Sequence, residues 1–356
     1  MADLEMLKNI SLVNGISGYE KKATRMMKSY IQENVDDIQY DNLGSLIGIK
    51  KGAGDLKVLL TAHIDEIGFL VKDIDEGGFI KVQPVGGWMG QNLPSSHMVI
   101  TTSQGKEING VFGAPSPHGK TLEERKKIVE PKDAFIDIGV LNKQEAIDLG
   151  IKKGDPITPV SEFSVMANPK CIMSKAWDDR IGVAAMIEVL RNLKGKDIYP
   201  QLYVAGTVQE EVGLRGAKTV GQMVKPDIAI AIDVTFSQDL PGEQSDVKLG
   251  SGVALSVMDG SVIAHSGLLK KLESICEKYD IPYQRDMLVA GGTDSGELSK
   301  VDAGVMNLTL SIPSRYMHSH RTMIHEDDLQ ATVDLLTHFI EELDATMFQE
   351  MIEDKR

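Results

Sequence analysis

Between about residues 71 and 165 the sequence changes texture. Short runs of alternating apolar and polar residues are punctuated by Glu76-Gly77-Gly78, Gln104-Gly105 and Asn109-Gly110, with the prolines of Ala114-Pro115-Ser116-Pro117 among them. Alternation with a period of two, broken every few residues by turn formers, predicts short antiparallel strands that close into a small β-barrel or sandwich. On either side the chain alternates apolar strand-like runs with stretches of helical period, the pattern of an α/β layer structure. The expected architecture is therefore an α/β domain with a mixed sheet, formed by residues 1–70 and 166–356, carrying a β-rich insert at 71–165. The hairpin from Ile67 to Val85 can be assigned to either part.

Individual elements follow from local signals. Ser17 and Glu20 have the spacing of a capping box, and Ala23, Met26, Met27, Tyr30 and Ile31 then recur at helical spacing, which predicts a helix over 18–34. A strand pair is expected at 38–40 and 45–49 across Asn42-Leu43-Gly44. The run Val58-Leu59-Leu60 reads as a buried strand leading into Thr61-Ala62-His63, which puts His63 at its carboxyl end. Beyond residue 166 a helix after Asp179 presents Ile181, Val183, Ala184, Ile187, Leu190 and Leu193. Strands are expected at 202–208, 228–232, 253–257 and 305–310. A last helix from Glu326 carries the stripe Leu329, Val333, Leu336, Ile340, Leu343.

Composition excludes several classes of function. With 42% hydrophobic and 25% charged residues over 356 positions the chain has the make-up of a soluble globular protein, and no apolar run approaches the roughly 20 residues of a membrane span. Met1-Ala2-Asp3-Leu4-Glu5 has neither the basic nor the apolar region of a secretory signal, so the cytoplasm is the expected location. A formal charge of −14 argues against nucleic acid as a partner. Cys171 and Cys276 lack CxxC spacing, so they predict inert thiols rather than a disulfide or a thiolate metal site.

In open α/β sheets the working groups lie just past the carboxyl ends of strands. His63-Ile64-Asp65, Gln209-Glu210-Glu211 and Asp233 meet that condition. Asp178-Asp179 lies at a loop-to-helix start, and His318 follows the strand around Leu308 and an expected turn at Pro313. Each has an ordinary structural reading: a helix N-cap for Asp178 or Asp179, a solvated loop for the glutamates, a turn for Asp233. Their convergence on one sheet edge favours chemistry. Neighbours in a strand point to opposite faces, so Glu210 and Glu211 can serve one site only beyond a strand end, one as a ligand and the other handling a proton. The i, i+2 spacing of His63 and Asp65 places the Asp65 carboxylate to accept the second imidazole N–H.

Six blocks carry a family resemblance: Thr61-Ala62-His63-Ile64-Asp65-Glu66; Lys175-Ala176-Trp177-Asp178-Asp179-Arg180-Ile181-Gly182; Val208-Gln209-Glu210-Glu211-Val212-Gly213-Leu214-Arg215-Gly216-Ala217; Ile232-Asp233-Val234; Gly291-Gly292-Thr293-Asp294-Ser295-Gly296; and Ser314-Arg315-Tyr316-Met317-His318-Ser319-His320. In order and over essentially the whole chain they resemble the glutamyl/leucyl aminopeptidase family, the TET-type deblocking group of dinuclear metallopeptidases. The resemblance implies an α/β zinc-peptidase domain interrupted by a β-rich domain used for dimer contacts. It implies two divalent metal ions, zinc with cobalt or manganese as alternatives, bridged by Asp178. His63 and Asp233 would complete one metal site and Glu211 and His318 the other, with Glu210 as general base and Asp65 orienting His63. It further implies short peptides with a free N-terminus as substrates, and homo-oligomers in which dimers combine into a tetrahedral dodecamer. No ligand position is substituted.

His320, His325, Trp88, His118 and Arg215 attract bland readings: packing, subunit contact, or, for Arg215, pairing with a nearby carboxylate. The loop 291–295 resembles a site-lining loop, or else is a glycine-rich turn capped by Thr293 or Asp294. Two other functions compete. A glycosidase would use a glutamate pair but leaves the histidines without a role, and a non-catalytic peptide-binding protein on a peptidase fold would be expected to have lost a ligand or the base. The preferred first residue of the substrate, acidic or aliphatic, is not readable from the sequence.

Overall fold

The computed structural model of the chain describes residues 3–355 apart from Pro115, Gln238, Gln244 and Ser245, so Pro115 of the proline-containing stretch lies outside the described residues. The strands are β1 (Asp37–Tyr40), β2 (Leu46–Lys50), β3 (Lys57–His63), β4 (Gly68–Ile74), β5 (Ile80–Val85), β6 (His97–Thr101), β7 (Glu107–Phe112), β8 (Phe135–Asp137), β9 (Pro156–Pro159), β10 (Ser164–Val165), β11 (Cys171–Ser174), β12 (Gln201–Thr207), β13 (Ile228–Phe236), β14 (Val253–Met258), β15 (Tyr283–Met287), β16 (Met306–Arg315) and β17 (Thr322–His325). The helices are α1 (Leu4–Leu12), α2 (Lys21–Ile31), α3 (Leu122–Arg125), α4 (Lys143–Asp148), α5 (Trp177–Asn192), α6 (Arg215–Val224), α7 (Ser266–Lys278), α8 (Ser295–Leu298), α9 (Glu326–Glu342) and α10 (Ala345–Glu353).

Eleven strands form one mixed sheet in the order β1-β2-β12-β3-β13-β16-β17-β11-β10, with β14 and β15 attached at β16. Its centre, β12-β3-β13-β16, is parallel. Because side chains alternate across a strand, Val58 and Leu60 of β3 face a core shared with α1, α2, α5, α7 and α9, while Leu59 faces a second core with Ala217, Val220 and Val224 of α6 and Leu298 of α8. Both faces are thus covered, and β13 is buried at every residue but the last. The α9 stripe forms as expected: Leu329, Val333, Leu336 and Ile340 are all buried, each such burial contributing about 1.5–3 kcal/mol.

The β-rich segment is a closed barrel, β4-β5-β8-β7-β6-β9. Closure leaves no strand edge to be covered. The barrel begins at Gly68 and ends at Pro159, so the Ile67–Val85 hairpin belongs to it, whereas β10, within the stretch expected to be insert, pairs with β11 of the main sheet. The alternation that announced it is literal in β7, whose burial runs exposed, buried, exposed, buried, exposed, buried.

Three local expectations are corrected. The helix expected over 18–34 is confined to Lys21–Ile31, and the Ser17/Glu20 capping box does not form. Both side chains are drawn instead to the loop after β12, as described below. The strand expected to end at Ile232 runs on to Phe236 and places Asp233 inside it. Pro313 makes no turn. It lies in β16, opposite Thr235 of β13, and on the other side it falls between the pairing of Ser311 with β14 and that of Ser314 with β17, where its missing N–H breaks no ladder bond. Among the described residues no helix is long and apolar enough to cross a membrane.

Candidate metal centre

The parallel strands bring their carboxyl ends to one edge of the sheet. His63 is the last residue of β3 and pairs in register with Thr207, the last of β12. Gln209, with φ 57°, turns the chain out of β12 so that Glu210 and Glu211 follow beyond the strand end. Asp233 comes from β13, and His318 follows β16. Asp178 enters from the start of α5, where Ala176 is left-handed and the backbone angles of Asp178 and Asp179 are not helical. Only one of these aspartates caps the helix: Asp179 Oδ1 accepts from Gly182 N at 3.0 Å, and its Oδ2 accepts from His63 N at 3.2 Å. Gly182 is required there, because a Cβ would lie 2.5 Å from Asp179 Oδ1. Asp178 is left free to face the imidazoles.

Its two oxygens divide between the two histidines. Oδ1 lies 2.9 Å from His63 Nε2, and Oδ2 lies 3.3 Å from His318 Nε2. On their far sides both rings are held by backbone carbonyls: His63 Nδ1 donates to Asp65 O at 3.1 Å and His318 Nδ1 to Gly87 O at 2.9 Å. This fixes which nitrogen carries the proton and turns both Nε2 atoms inward. The Asp65 carboxylate, expected to hold His63, stands 3.6 Å from Nδ1 and has other partners. It accepts from Glu210 N at 3.0 Å, Glu211 N at 3.2 Å and Ser17 Oγ at 2.6 Å. Glu20 Oε1 extends the series by accepting from Gln209 N at 3.1 Å and from Gly18 N at 2.6 Å. Three successive amides of the glutamate loop are therefore each anchored to a buried carboxylate.

Burial of so many acids at one edge shifts their protonation. Desolvation, reinforced by nearby carboxylates, holds Asp179, Glu210 and Asp233 well above the usual carboxylate range and pushes Glu211 up to about 8. Burial alone would lower His63, but the Asp178 hydrogen bond and the surrounding carboxylates outweigh it and hold the imidazole well above its ordinary value. His318 is raised in the same way, chiefly by Asp178 and Glu211. Such a collection of acids is stabilised most simply by positive charge. Donor atoms of His63, Asp178 and Glu211, and of His63, Asp179 and Asp233, lie within 4.8 Å of one another. An imidazole and carboxylate set without thiolate suits a divalent cation. They line a cavity of about 130 Å³, which also admits Glu210 and His318.

Four participants were not singled out from sequence: Asp179 and Asp294 were read at most as caps, and Ser17 and Glu20 as a capping box. Asp294 makes no cap. It is buried beneath the site, accepts from Thr207 Oγ1 at 2.6 Å, and is raised by desolvation to about 6. Thr293 donates to Asp259 at 3.0 Å rather than capping a helix. Arg215 pairs with no carboxylate but donates to Gln209 Oε1 at 3.1 Å. His325 caps α9, and Trp88 stacks on Phe69 at 5.0 Å inside the barrel. His118 lies in an exposed turn. Both cysteines are free, and burial pushes the Cys276 thiol up to about 12.

Residues 44–335, which contain every strand end and loop just described, match the M42 glutamyl aminopeptidase family. The chain belongs to that family. The glutamyl aminopeptidase of Lactococcus lactis is 33% identical over 92% of this chain and 93% of its own length. A TET aminopeptidase from a marine-sediment archaeon of the Thaumarchaeota superposes with a TM-score of 0.94 at 35% identity, covering 98% of each chain. Pyrococcus horikoshii TET1 peptidase, which can assemble into a tetrahedron or a large octahedral shell, superposes with a TM-score of 0.87 at 36% identity, over 96% of this chain and 99% of that one. As an M42 protein the chain is a peptidase of the aminopeptidase kind, with a mixed α/β fold and a His/Asp/Glu group able to hold metal. The glycosidase and non-catalytic alternatives are set aside.

Proposed function

We propose that this M42 chain removes the N-terminal residue of short peptides, using two divalent cations held by His63, Asp178, Glu211, Asp233 and His318, with Glu210 as general base. The observation that carries the reading is Asp178, whose two oxygens each face the Nε2 of a different imidazole, as a carboxylate shared between two ions requires. Zinc, cobalt and manganese all suit the donor set. Cations bound there supply Lewis acidity to the scissile carbonyl and acidify the attacking water. Glu210 accepts the proton from that water and returns it to the leaving amine. Its raised affinity for a proton, caused by burial and by Asp233 and Glu211, suits the second half of that exchange. Asp65 acts through the loop, fixing the amides of Glu210 and Glu211 so that one side chain faces the ions and the other the water. The free α-amino group of the substrate is drawn to the carboxylates of the cluster, which limits cleavage to the first residue.

The barrel supplies the dimer contact in this reading, and dimers build a tetrahedral dodecamer in the cytoplasm, with neither nucleic acid nor membrane as a partner. Support comes from the TET1 peptidase of P. horikoshii and from exposed apolar side chains on the barrel, Leu122 and Ile128 among them. Protein purified without chelator should contain two divalent ions per chain by elemental analysis, and stripping them should abolish hydrolysis of aminoacyl-anilides. Full activity in stripped protein would defeat the metal mechanism. Light scattering at micromolar concentration should report a particle far larger than one 38.9 kDa chain, and a stable monomer would defeat the assembly.

A further inference from the structure

The walls of the metal-site cavity divide into two kinds. One side is the ligand set. The other is built from Val234 and Phe236 of β13, Leu288 and Ala290 after β15, and Met317 before His318. Phe236 is 46% exposed although it ends a strand otherwise buried, so its ring stands at the cavity mouth without covering neighbours. No lysine or arginine lines this space among the described residues. The arginine nearest in sequence, Arg315, is already held by Asp239, with Nε 3.0 Å from Oδ1 and Nη2 2.5 Å from Oδ2. An acidic side chain entering here would lose its water and meet no cation to replace it.

A basic side chain fares no better. The carboxylate on this wall, Asp259, is buried and fully engaged: Oδ1 accepts from Ser261 N at 2.6 Å, Ser261 Oγ at 2.7 Å and Val262 N at 3.0 Å, and Oδ2 accepts from Thr293 Oγ1 at 3.0 Å. It fastens the 291–293 loop against the 259–262 turn and has no free direction toward a ligand. The apolar wall is what remains for the substrate.

We infer that the side chain of the residue to be removed docks on the wall formed by Val234, Phe236, Leu288 and Met317, and that the chain selects aliphatic N-terminal residues of the leucine and methionine kind over acidic or basic ones. This rests on the aminopeptidase reading and adds the substrate class to it. The family is described by a glutamyl activity, so the wall chemistry, not the family, carries the inference.

The test is a panel of leucyl-, methionyl-, glutamyl- and lysyl-anilides on the metal-loaded, full-length protein. Desolvating an unpaired charge should set kcat/KM for leucyl above glutamyl and lysyl by about 10²-fold or more. Equal or better turnover of the glutamyl or lysyl substrate overturns the inference while leaving the aminopeptidase reading intact. Failure on every substrate overturns the aminopeptidase reading, and calorimetric titration with free leucine and free glutamate then decides the wall chemistry by itself, equal affinities overturning it. Phe236→Lys should retain metal content and melting temperature, lower kcat/KM for leucyl-anilide, and bring the leucyl-to-glutamyl ratio down by about tenfold or more through KM. An unchanged ratio in that variant shows that Phe236 is not part of the docking wall.

Discussion

The barrel and the carboxyl edge of the main sheet bury opposite kinds of residue. Inside the barrel Phe69, Val71, Ile80, Val82, Met98, Ile100, Phe112 and Ile157 pack with no ionisable partner, and charged pairs such as Lys143–Glu76 and Lys120–Glu124 stay on the outside. At the sheet edge His63, Asp65, Asp179, Glu210, Asp233 and Asp294 are all buried, most of them acids held away from water. Burial of an unpaired carboxylate opposes folding, so a fold retains such a cluster where the charge is put to use. The two regions meet through backbone alone: beyond β5, the carbonyl of Gly87 holds His318, and a Cβ at Gly87 would come within 3.0 Å of that imidazole. The barrel thus orients one ligand without contributing a chemical group of its own.

The largest separation of the two regions should come from the glutamate pair. Glu210→Gln keeps the shape and the hydrogen-bonding capacity of the side chain but cannot accept a proton, so turnover should fall by about 10²–10⁴-fold with metal content unchanged. Glu211→Gln should instead lose metal. Elemental analysis beside kcat for both variants checks the assignment, and reversed phenotypes would show that the two roles are exchanged.

Truncation in the barrel should do the converse. Phe112 is 1% exposed and meets Phe69 edge-on at 5.0 Å. Phe112→Ala should cost about 3–5 kcal/mol in denaturant unfolding, while kcat of the folded protein stays within a few-fold of wild type. A drop as large as that of Glu210→Gln would mean that the barrel interior is coupled to the chemistry through more than Gly87.

A smaller effect, specific to pH, is expected at Glu20. Desolvation raises its carboxyl from the ordinary 4.5 to about 7. A raised carboxylate stabilises the fold while protonated, fully so below the unfolded value, and that contribution is lost as pH rises through the folded value. The gap corresponds to about 3 kcal/mol lost between pH 4.5 and about 7. Glu20→Gln, which keeps an acceptor for Gln209 N, should therefore match wild type near pH 5 and exceed it in melting temperature near pH 8. Parallel curves for the two proteins would show that Glu20 titrates normally.

What the sequence by itself determined is whatever local periodicity and strand-end position encode. Alternation broken by glycine turns announces the barrel, the helical stripe announces α9, and the apolar run before His63 places that histidine at the end of a buried strand. Helices α1, α6, α7 and α10 were passed over, although α6 and α7 are amphipathic, because their boundaries carry weaker local signals. The tertiary structure decided which partner each polar group takes. Ser17 and Glu20 have the spacing of a helix cap, yet amides 209–211 and the Asp65 carboxylate arrive from distant parts of the chain and bind them instead. Asp294 has the look of a cap and lies under the metal site. His63 is held by the carbonyl of Asp65 rather than its carboxylate, and His318 by a carbonyl 231 residues away. Any hydrogen-bonding side chain satisfies a local pattern equally well. The choice among partners is made by which donors and acceptors the packed sheet, helices and barrel deliver to the same buried edge, where no water is left to take their place.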